Sequence, residues 1–396
     1  MEFGFGKKDD KAGKRSAIGD YTPVLGLFSA DDPRPTPAAQ TSSETQSRQT
    51  APLELSVIIP ARNEERNLGA CVESLVKQDE PIFALGQDWE ILVLDDESTD
   101  GTHSIAEAFT AKYPGVRVLR TPPLELRGDQ RAFTGKTNAC WAGAQAAQGR
   151  WLLFTDADTL HEPGDLRRAL HEAARNEVAL LSYSPRQILH GFAQQTVMPL
   201  IFSELASVYP PAKVNDPADR TAAANGQFLL VEREAYFAVG GHRAIGRSVL
   251  EDVALAEKVK RARKGIRLRY APEAVSTRMY SGFGDMVEGW TKNLALLFPH
   301  ALPLVFWRLL DILLLLLPVL LWVFPFWEPW KRIAILALWL RTLVRFYQRV
   351  ARAHFPLVNT AIAPLGLPLF VYLLTASWFQ HRIRHTVKWK GREYGT

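Results

Sequence analysis

The chain has 396 residues, 47% hydrophobic and 22% charged, which excludes a disordered or fibrous protein and suits two or three folded units. Its two cysteines, Cys71 and Cys140, are too few for a disulfide framework or a zinc site and fit a reducing compartment. The net charge of +5 is uneven: beyond residue 299, twelve Lys/Arg face only Asp311, Glu328 and Glu393, which leaves a mildly acidic body with a basic, apolar tail. That distribution argues against a nucleic-acid binder and for a domain tethered to a membrane.

Residues 1–52 read as a disordered segment. Apart from Val24–Phe28 they are polar and broken by proline, with no apolar period that could bury a face. Lys7 and Lys8 have no apolar run behind them, so no signal peptide is expected. A domain over residues 53–298 then alternates between two periods. Leu55–Pro60 is a strand; Arg62–Lys77 carries Leu68, Val72, Leu75 and Val76 on one helical face. Glu90–Leu94 and Thr102–Lys112 repeat the pair, followed by the strand Val116–Arg120, the helix Lys136–Ala147 and the strand Trp151–Phe154. Pro163–Arg175 is another helix and Val178–Tyr183 another strand. The alternation predicts an α/β fold, a mostly parallel sheet flanked by helices, with its ligand beyond the carboxyl ends of the strands.

Three acidic clusters fall where that rule looks for chemistry. Asp95-Asp96-Glu97-Ser98-Thr99-Asp100 follows one strand, Asp156-Ala157-Asp158 follows another, and Glu251-Asp252 opens the helix Val253–Arg263. A carboxylate at a strand end is not core packing, because burying an unpaired charge is costly. The plain alternative is a helix cap or solvated turn, and Asp100 suits a cap. Carboxylates one residue apart suit Mg²⁺ or Mn²⁺, which take oxygen ligands together with substrate phosphates. No Walker loop and no GxGxxG is present, so diphosphate charge would be met by metal and by cations such as Lys136.

In this order and spacing, VIIPARNE (57–64), VLDDESTDGT (93–102), GKTNACWAG (135–143), FTDADT (154–159), NGQFLLVERE (225–234), Gly240-Gly241 and LEDVALAEKV (250–259) resemble the family 2 glycosyltransferases. The membrane-associated, lipid-modifying members, the hopanoid-associated and carotenoid (diaponeurosporenoate-type) glycosyltransferases, are the nearer likeness, through the apolar tail and the ending VKWKGREY. The resemblance implies a GT-A fold and a nucleotide-diphosphate-sugar donor, a UDP-sugar being expected. It places Pro60, Arg62 and Glu64 in the nucleotide pocket, Asp95 and Asp96 on base and ribose, and Lys136 near the diphosphate. It implies Asp158 on the metal, Asp156 on the nucleotide-sugar or the metal, and Asp252 as the base that deprotonates the acceptor.

Processive members carry QxxRW downstream of the base. Here the stretch reads Trp290-Thr291-Lys292-Asn293, which favours addition of one sugar, with Lys292 as a source of positive charge near the diphosphate. The expected activity is inverting transfer to a hydroxyl or carboxyl of a lipid or lipid-linked acceptor. The alternatives are a processive polysaccharide synthase, a non-catalytic nucleotide-sugar-binding scaffold and a nucleotidyltransferase. The scaffold has no need of Asp252, and a nucleotidyltransferase would want glycine soon after the first strand.

Residues 299–396 are expected to be a membrane-associated helical region with a basic end, the catalytic domain lying on the cytoplasmic face of the cell membrane. Leu302–Phe326 and Pro356–Phe379 are each long enough to cross a core of about 30 Å. Two or three full spans would export one of two basic clusters, against the positive-inside rule. Proline-broken hairpins on one face avoid this, and would set Arg341, Arg345 and Arg349 as one face of an interfacial helix against anionic headgroups.

Overall fold

The computed structural model describes residues 53–396 apart from 125, 128–129, 132, 324–327, 385, 390–391 and 396, so the expectation for residues 1–52 lies outside the described residues. The centre is a pair of parallel strands, β1 (Leu55–Ala61) and β2 (Trp89–Asp95), almost wholly buried because both faces are covered by helices. Leu55 pairs with Trp89 and Ala61 with Asp95, so the strands end level and the loops after them face each other. α1 (Leu68–Val76) and α2 (Thr102–Lys112) lead to β3 (Val116–Arg120), and α3 (Gly135–Ala146) to β4 (Trp151–Phe154). β5 (Thr159–His161), α4 (Asp165–Arg175), β6 (Leu180–Ser184), β7 (Arg186–Gln187) and the long α5 (Gly191–Val208) follow. β8 (Leu229–Glu232), α6 (Glu251–Arg261), β9 (Ile266–Tyr270), β10 (Val275–Thr277) and α7 (Phe283–Leu297) complete the sheet-bearing part.

The main sheet has the order β9-β6-β8-β4-β1-β2-β3 and a small one the order β5-β10-β7. In the main sheet only β8 runs antiparallel to its neighbours. This is the mostly parallel, helix-flanked sheet that the sequence predicts. One sheet face packs Val57, Ile59 and Val93 against Leu68, Val72 and Ala169. The other packs Ile58, Leu92 and Leu94 against Ala139, Cys140 and Leu255. At Gly143 a Cβ would stand 2.5 Å from Ile58 Cγ2, so α3 lies this close to β1 only because the position has no side chain.

One helix is shorter than its sequence suggests. The pattern over Arg62–Lys77 becomes helical only at Leu68. Asn63 takes a left-handed backbone with φ 54°, which lets its side chain accept from Thr99 N at 2.9 Å while its own amide donates to Ser98 Oγ at 3.1 Å. The loop is held across to its neighbour instead of coiling.

The tail comprises α8 (Ala301–Val323), α9 (Pro329–Val350), α10 (Leu357–Ile362), a 3₁₀ turn over Ala363–Gly366, α11 (Leu367–Phe379) and a terminal hairpin of β11 (Thr386–Trp389) and β12 (Arg392–Gly395). Two stretches, Ala301–Trp322 and Leu357–Arg384, are long and apolar enough to cross a membrane by length and composition. Over the described residues 302–323 the expected hairpin does not form. α8 runs 23 residues straight through Pro318, about 35 Å, while the second stretch is interrupted at 363–366. Arg349 also departs from expectation, since it turns inward. Its Nη2 and Arg308 Nη1 each lie 2.6 Å from Asp311 Oδ2, and both guanidinium groups face Glu204 of α5, at 3.6 and 3.4 Å. Arg341 and Arg345 remain exposed.

This cluster ties α8 and α9 to α5. Asp311→Ala should leave two guanidinium groups facing Glu204 alone and cost on the order of 3 kcal/mol. The measurement is a thermal melt of the full chain in detergent; an unchanged midpoint would show that the cluster adds nothing to the packing of α8.

Candidate active site

Each acidic cluster is placed by a strand or helix end. The register of β1 against β4 sets Phe154 beside Ile58, and Asp156 and Asp158 emerge just beyond it. Both are half-buried, while Ala157 between them is buried. Because β8 is antiparallel, its beginning lies at this same edge, and Thr155 Oγ1 donates to Gln227 O at 2.8 Å. Gly226 therefore arrives next to the Asp-Ala-Asp turn. Glu251 and Asp252 occupy the first turn of α6, where the helix dipole favours negative charge.

Lys136, in the first turn of α3, joins these parts. Its Nζ lies 2.8 Å from Asp156 Oδ1 and 2.7 Å from Glu251 Oε1. Thr134 and Thr137 form a reciprocal cap at the start of α3, and Thr137 Oγ1 donates to Gly246 O at 2.6 Å, which fixes the helix end that carries the lysine. Burial works against the charge on Lys136, but Asp156 and Glu251 outweigh it and hold the ammonium well above the usual lysine range. Burial raises the Asp156 carboxyl even though Lys136 pulls it down. Burial likewise opposes the charge on Glu251, yet Lys136 overrides it and keeps that carboxyl below the usual range.

Asp252 is oriented by backbone. Gly226 N donates to Oδ2 at 2.9 Å and Val253 N to Oδ1 at 2.8 Å. Burial, then the neighbouring Glu251, pushes its carboxyl up to about 6. A Cβ on Gly226 would stand 3.2 Å from Lys136 Nζ and 3.4 Å from Glu251 Oε1, so this glycine keeps the ion cluster clear.

Asp252, Asp156, Asp158 and Lys136 line one cavity of about 1230 Å³, together with Pro60, Arg62, Glu64, Asp96 and Lys292. Arg62 Nη1 donates to Asp96 O at 2.8 Å, which braces the first two loops against each other. Glu64 Oε2 accepts from Asn67 Nδ2 at 2.9 Å. Lys292 reaches the cavity from α7, and burial pushes its ammonium down to about 8. Arg278 and Tyr280 also line it. Asp95 does not. Its Oδ1 accepts from Ser98 N at 3.0 Å and its Oδ2 faces His103 Nδ1 at 3.0 Å, so it shapes the loop behind Asp96. Asp100 accepts from Thr102 N at 3.0 Å in the turn before α2 and lines the cavity, while Gly101 takes the cap position with no side-chain cap bond.

The donor set suits a divalent cation of the Mg²⁺ or Mn²⁺ kind: oxygen atoms only, on two carboxylates that line one cavity. Among the described residues no group of three His, Cys, Asp or Glu is placed to hold a metal. Asp156 and Asp158 would therefore hold such an ion only together with substrate phosphates and water. Cys71 and Cys140 are buried and free, with thiols pushed up mainly by burial. The parts that Gly226 and Glu251 play in the ion cluster are not legible in the sequence, although Glu251 belongs to the acidic cluster with Asp252. Neither has a residue type or spacing that announces an ion cluster assembled from three distant segments.

The family model described as glycosyl transferase family 2 matches residues 56–253, half of the chain. The chain belongs to that family and is a glycosyltransferase. Over 353 residues it is 26% identical to the 4,4'-diaponeurosporenoate glycosyltransferase of Staphylococcus aureus (strain USA300), covering 86% of this chain and 88% of that one. Among solved structures, a mannosyltransferase of Pyrobaculum calidifontis in complex with GDP-Man and Mn²⁺ is 17% identical with a TM-score of 0.48, covering 85% of this chain and 89% of that one. The glucosyl-3-phosphoglycerate synthase of Mycobacterium tuberculosis, with Mn²⁺, UDP-glucose and phosphoglyceric acid, is 18% identical with a TM-score of 0.40, covering 67% and 85%.

The Lys136 bridge has a consequence for stability. Lys136→Met should leave Asp156 and Glu251 facing each other without a cation and cost on the order of 3 kcal/mol near neutral pH. Carboxyls raised in the folded state bind protons more readily folded than unfolded, so stability falls as pH rises through their range. The deficit of the variant in urea unfolding should therefore be smaller near about pH 5 than near about pH 8. A deficit independent of pH would count against the repulsion.

Proposed function

We propose that the protein is a membrane-associated, inverting glycosyltransferase that moves one sugar from a nucleotide-diphosphate-sugar, a UDP-sugar being expected, to a hydroxyl or carboxyl of a lipid or lipid-linked acceptor. The observation that carries this reading is that Asp252, amide-held and lifted to about 6, shares one cavity with the Asp156–Asp158 pair. Pro60, Arg62, Glu64 and Asp96 would hold the nucleotide, with Asp95 acting behind them on the loop. Asp252 would accept the proton of the attacking acceptor oxygen as the sugar passes through an oxocarbenium-like state. The leaving group needs no proton, so one carboxylate base suffices. Asp158 and Asp156 would hold Mg²⁺ or Mn²⁺, which when bound supplies Lewis-acid stabilisation of the departing diphosphate. Lys136 and Lys292 would add positive charge beside it.

A lipid acceptor is supported by the two apolar stretches of the tail, with Leu313, Leu316 and Leu320 exposed, and by the Staphylococcus aureus relative named for diaponeurosporenoate. Nucleotide-sugars are made in the cytoplasm, so the catalytic domain is placed on the cytoplasmic face of the cell membrane.

Asp252→Asn keeps the shape and removes the proton acceptor, so turnover should fall roughly 10²–10⁴-fold with donor affinity nearly unchanged. In the wild type kcat/KM should rise with pH through about 6, because the base acts only when ionised. Steady-state kinetics against pH in detergent, scoring nucleoside diphosphate release and lipid mass gain, tests both; near-normal turnover in the variant would move the role to another group. Asp158→Ala should abolish most of the Mn²⁺-dependent gain in nucleotide-sugar affinity measured by titration calorimetry, and an unchanged gain would remove Asp158 from the metal.

A further inference from the structure

The cavity extends well past the ion cluster. Phe202, Leu205, Ala206 and Tyr209 all line it. They are spaced by three, four and seven residues, which puts them on one face of α5 and its C-terminal cap. All four are half-buried, although the neighbouring Leu200 and Ile201 of the same helix are buried. The stripe runs about 10 Å along the helix. Tyr209, at one end, shares the cavity with Asp252 and with Gly226, whose amide donates to that carboxylate. The other end meets the tail. Phe202 packs edge-on against Phe355 with centroids 5.7 Å apart, and Arg352 and His354, both exposed, line the rim. His354 is held there by a left-handed backbone, φ 56°, and by stacking on Tyr270 at 5.3 Å. Just outside lies an apolar ledge where Leu357 and Val358 are 87% and 71% exposed, at the start of the second membrane-length stretch.

We propose that this face of α5 is the trough that seats the apolar body of the acceptor, an amphiphile that enters from the lipid surface over the rim at Arg352 and His354 and brings its reactive oxygen to Asp252. The assignment rests on the transferase reading of the same cavity. It is carried by three features together: an apolar stripe continuous with the site that holds the base, a mouth built from the tail, and an exposed ledge beside that mouth. Arg352 sets a cation at the rim, where the polar face of a bilayer would lie.

The test uses the full chain in lipid nanodiscs and, as probes, hexyl, octyl and decyl glucosides, with affinity read by titration calorimetry. Affinity should climb by roughly fourfold for each methylene seated in the trough. Ala206→Phe should flatten this gradient by filling the trough, and Leu205→Gln should flatten it by making the wall polar. Val208→Phe, on the exposed side of the same helix, should keep it. Comparing variant with wild type cancels partition of the probes into the bilayer. Wild-type gradients in both trough variants overturn the proposal, and so does equal flattening by Val208→Phe. Transfer is scored separately, as nucleoside diphosphate release from a panel of UDP- and GDP-sugars with Mn²⁺ and total membrane lipid. A trough-dependent gradient with no release from any donor would uphold the trough and overturn the lipid-acceptor reading, whereas lipid-dependent release with no gradient would do the reverse.

Discussion

The catalytic half of this protein depends on one ammonium group. Lys136 bridges Asp156, at the end of β4, and Glu251, in the first turn of α6. Three carboxylates converge on a small volume, and without a cation between them at least one would take up a proton or leave. With Lys136 in place, Glu251 stays charged, and its charge is one of the two causes that raise Asp252. The same bridge thus packs the site and sets the affinity of the neighbouring carboxyl for a proton.

The bridge can form only because of how the sheet is wound. The level ends of β1 and β2 bring the Arg62 and Asp96 loops face to face, and β8 is reversed between two parallel strands. Reversal puts the beginning of β8, not its end, at the carboxyl edge. Gly226 can then donate to Asp252 while leaving room for the lysine. A parallel β8 would carry that glycine to the opposite edge of the sheet.

The tail is packed into the rest of the chain. Its helices share a core with α5 and α7, where Val350, Leu367 and Phe370 pack with Val197, Ile201 and Trp290. Residues 352–354 form part of the cavity wall. The Glu204–Arg308–Asp311–Arg349 cluster joins the same elements by charge. These contacts tie α8 and α9 to α5, the helix that borders both the cavity and the tail.

The sequence by itself determined what depends on short range. Alternating apolar runs and helical faces place nearly every strand and helix through Val178–Tyr183, because a strand buried on both faces has to be continuous in Val, Ile and Leu. Asp96, Asp156, Asp158 and Asp252 could be singled out because carboxylates at strand ends and helix starts have no packing reason to be there. Tertiary structure decided the rest. Asn63 ended a helical pattern by bonding across to another loop, and Asp95, next to Asp96 in the chain, turned away to His103 because successive residues at a strand end point to opposite sides. Pro318 left α8 unbroken, and Arg349 turned inward to Asp311. The partners of Lys136, Gly226 and Tyr209 come from segments far apart in the chain. Their contacts follow from strand order and from one reversed strand, neither of which is written in local periodicity.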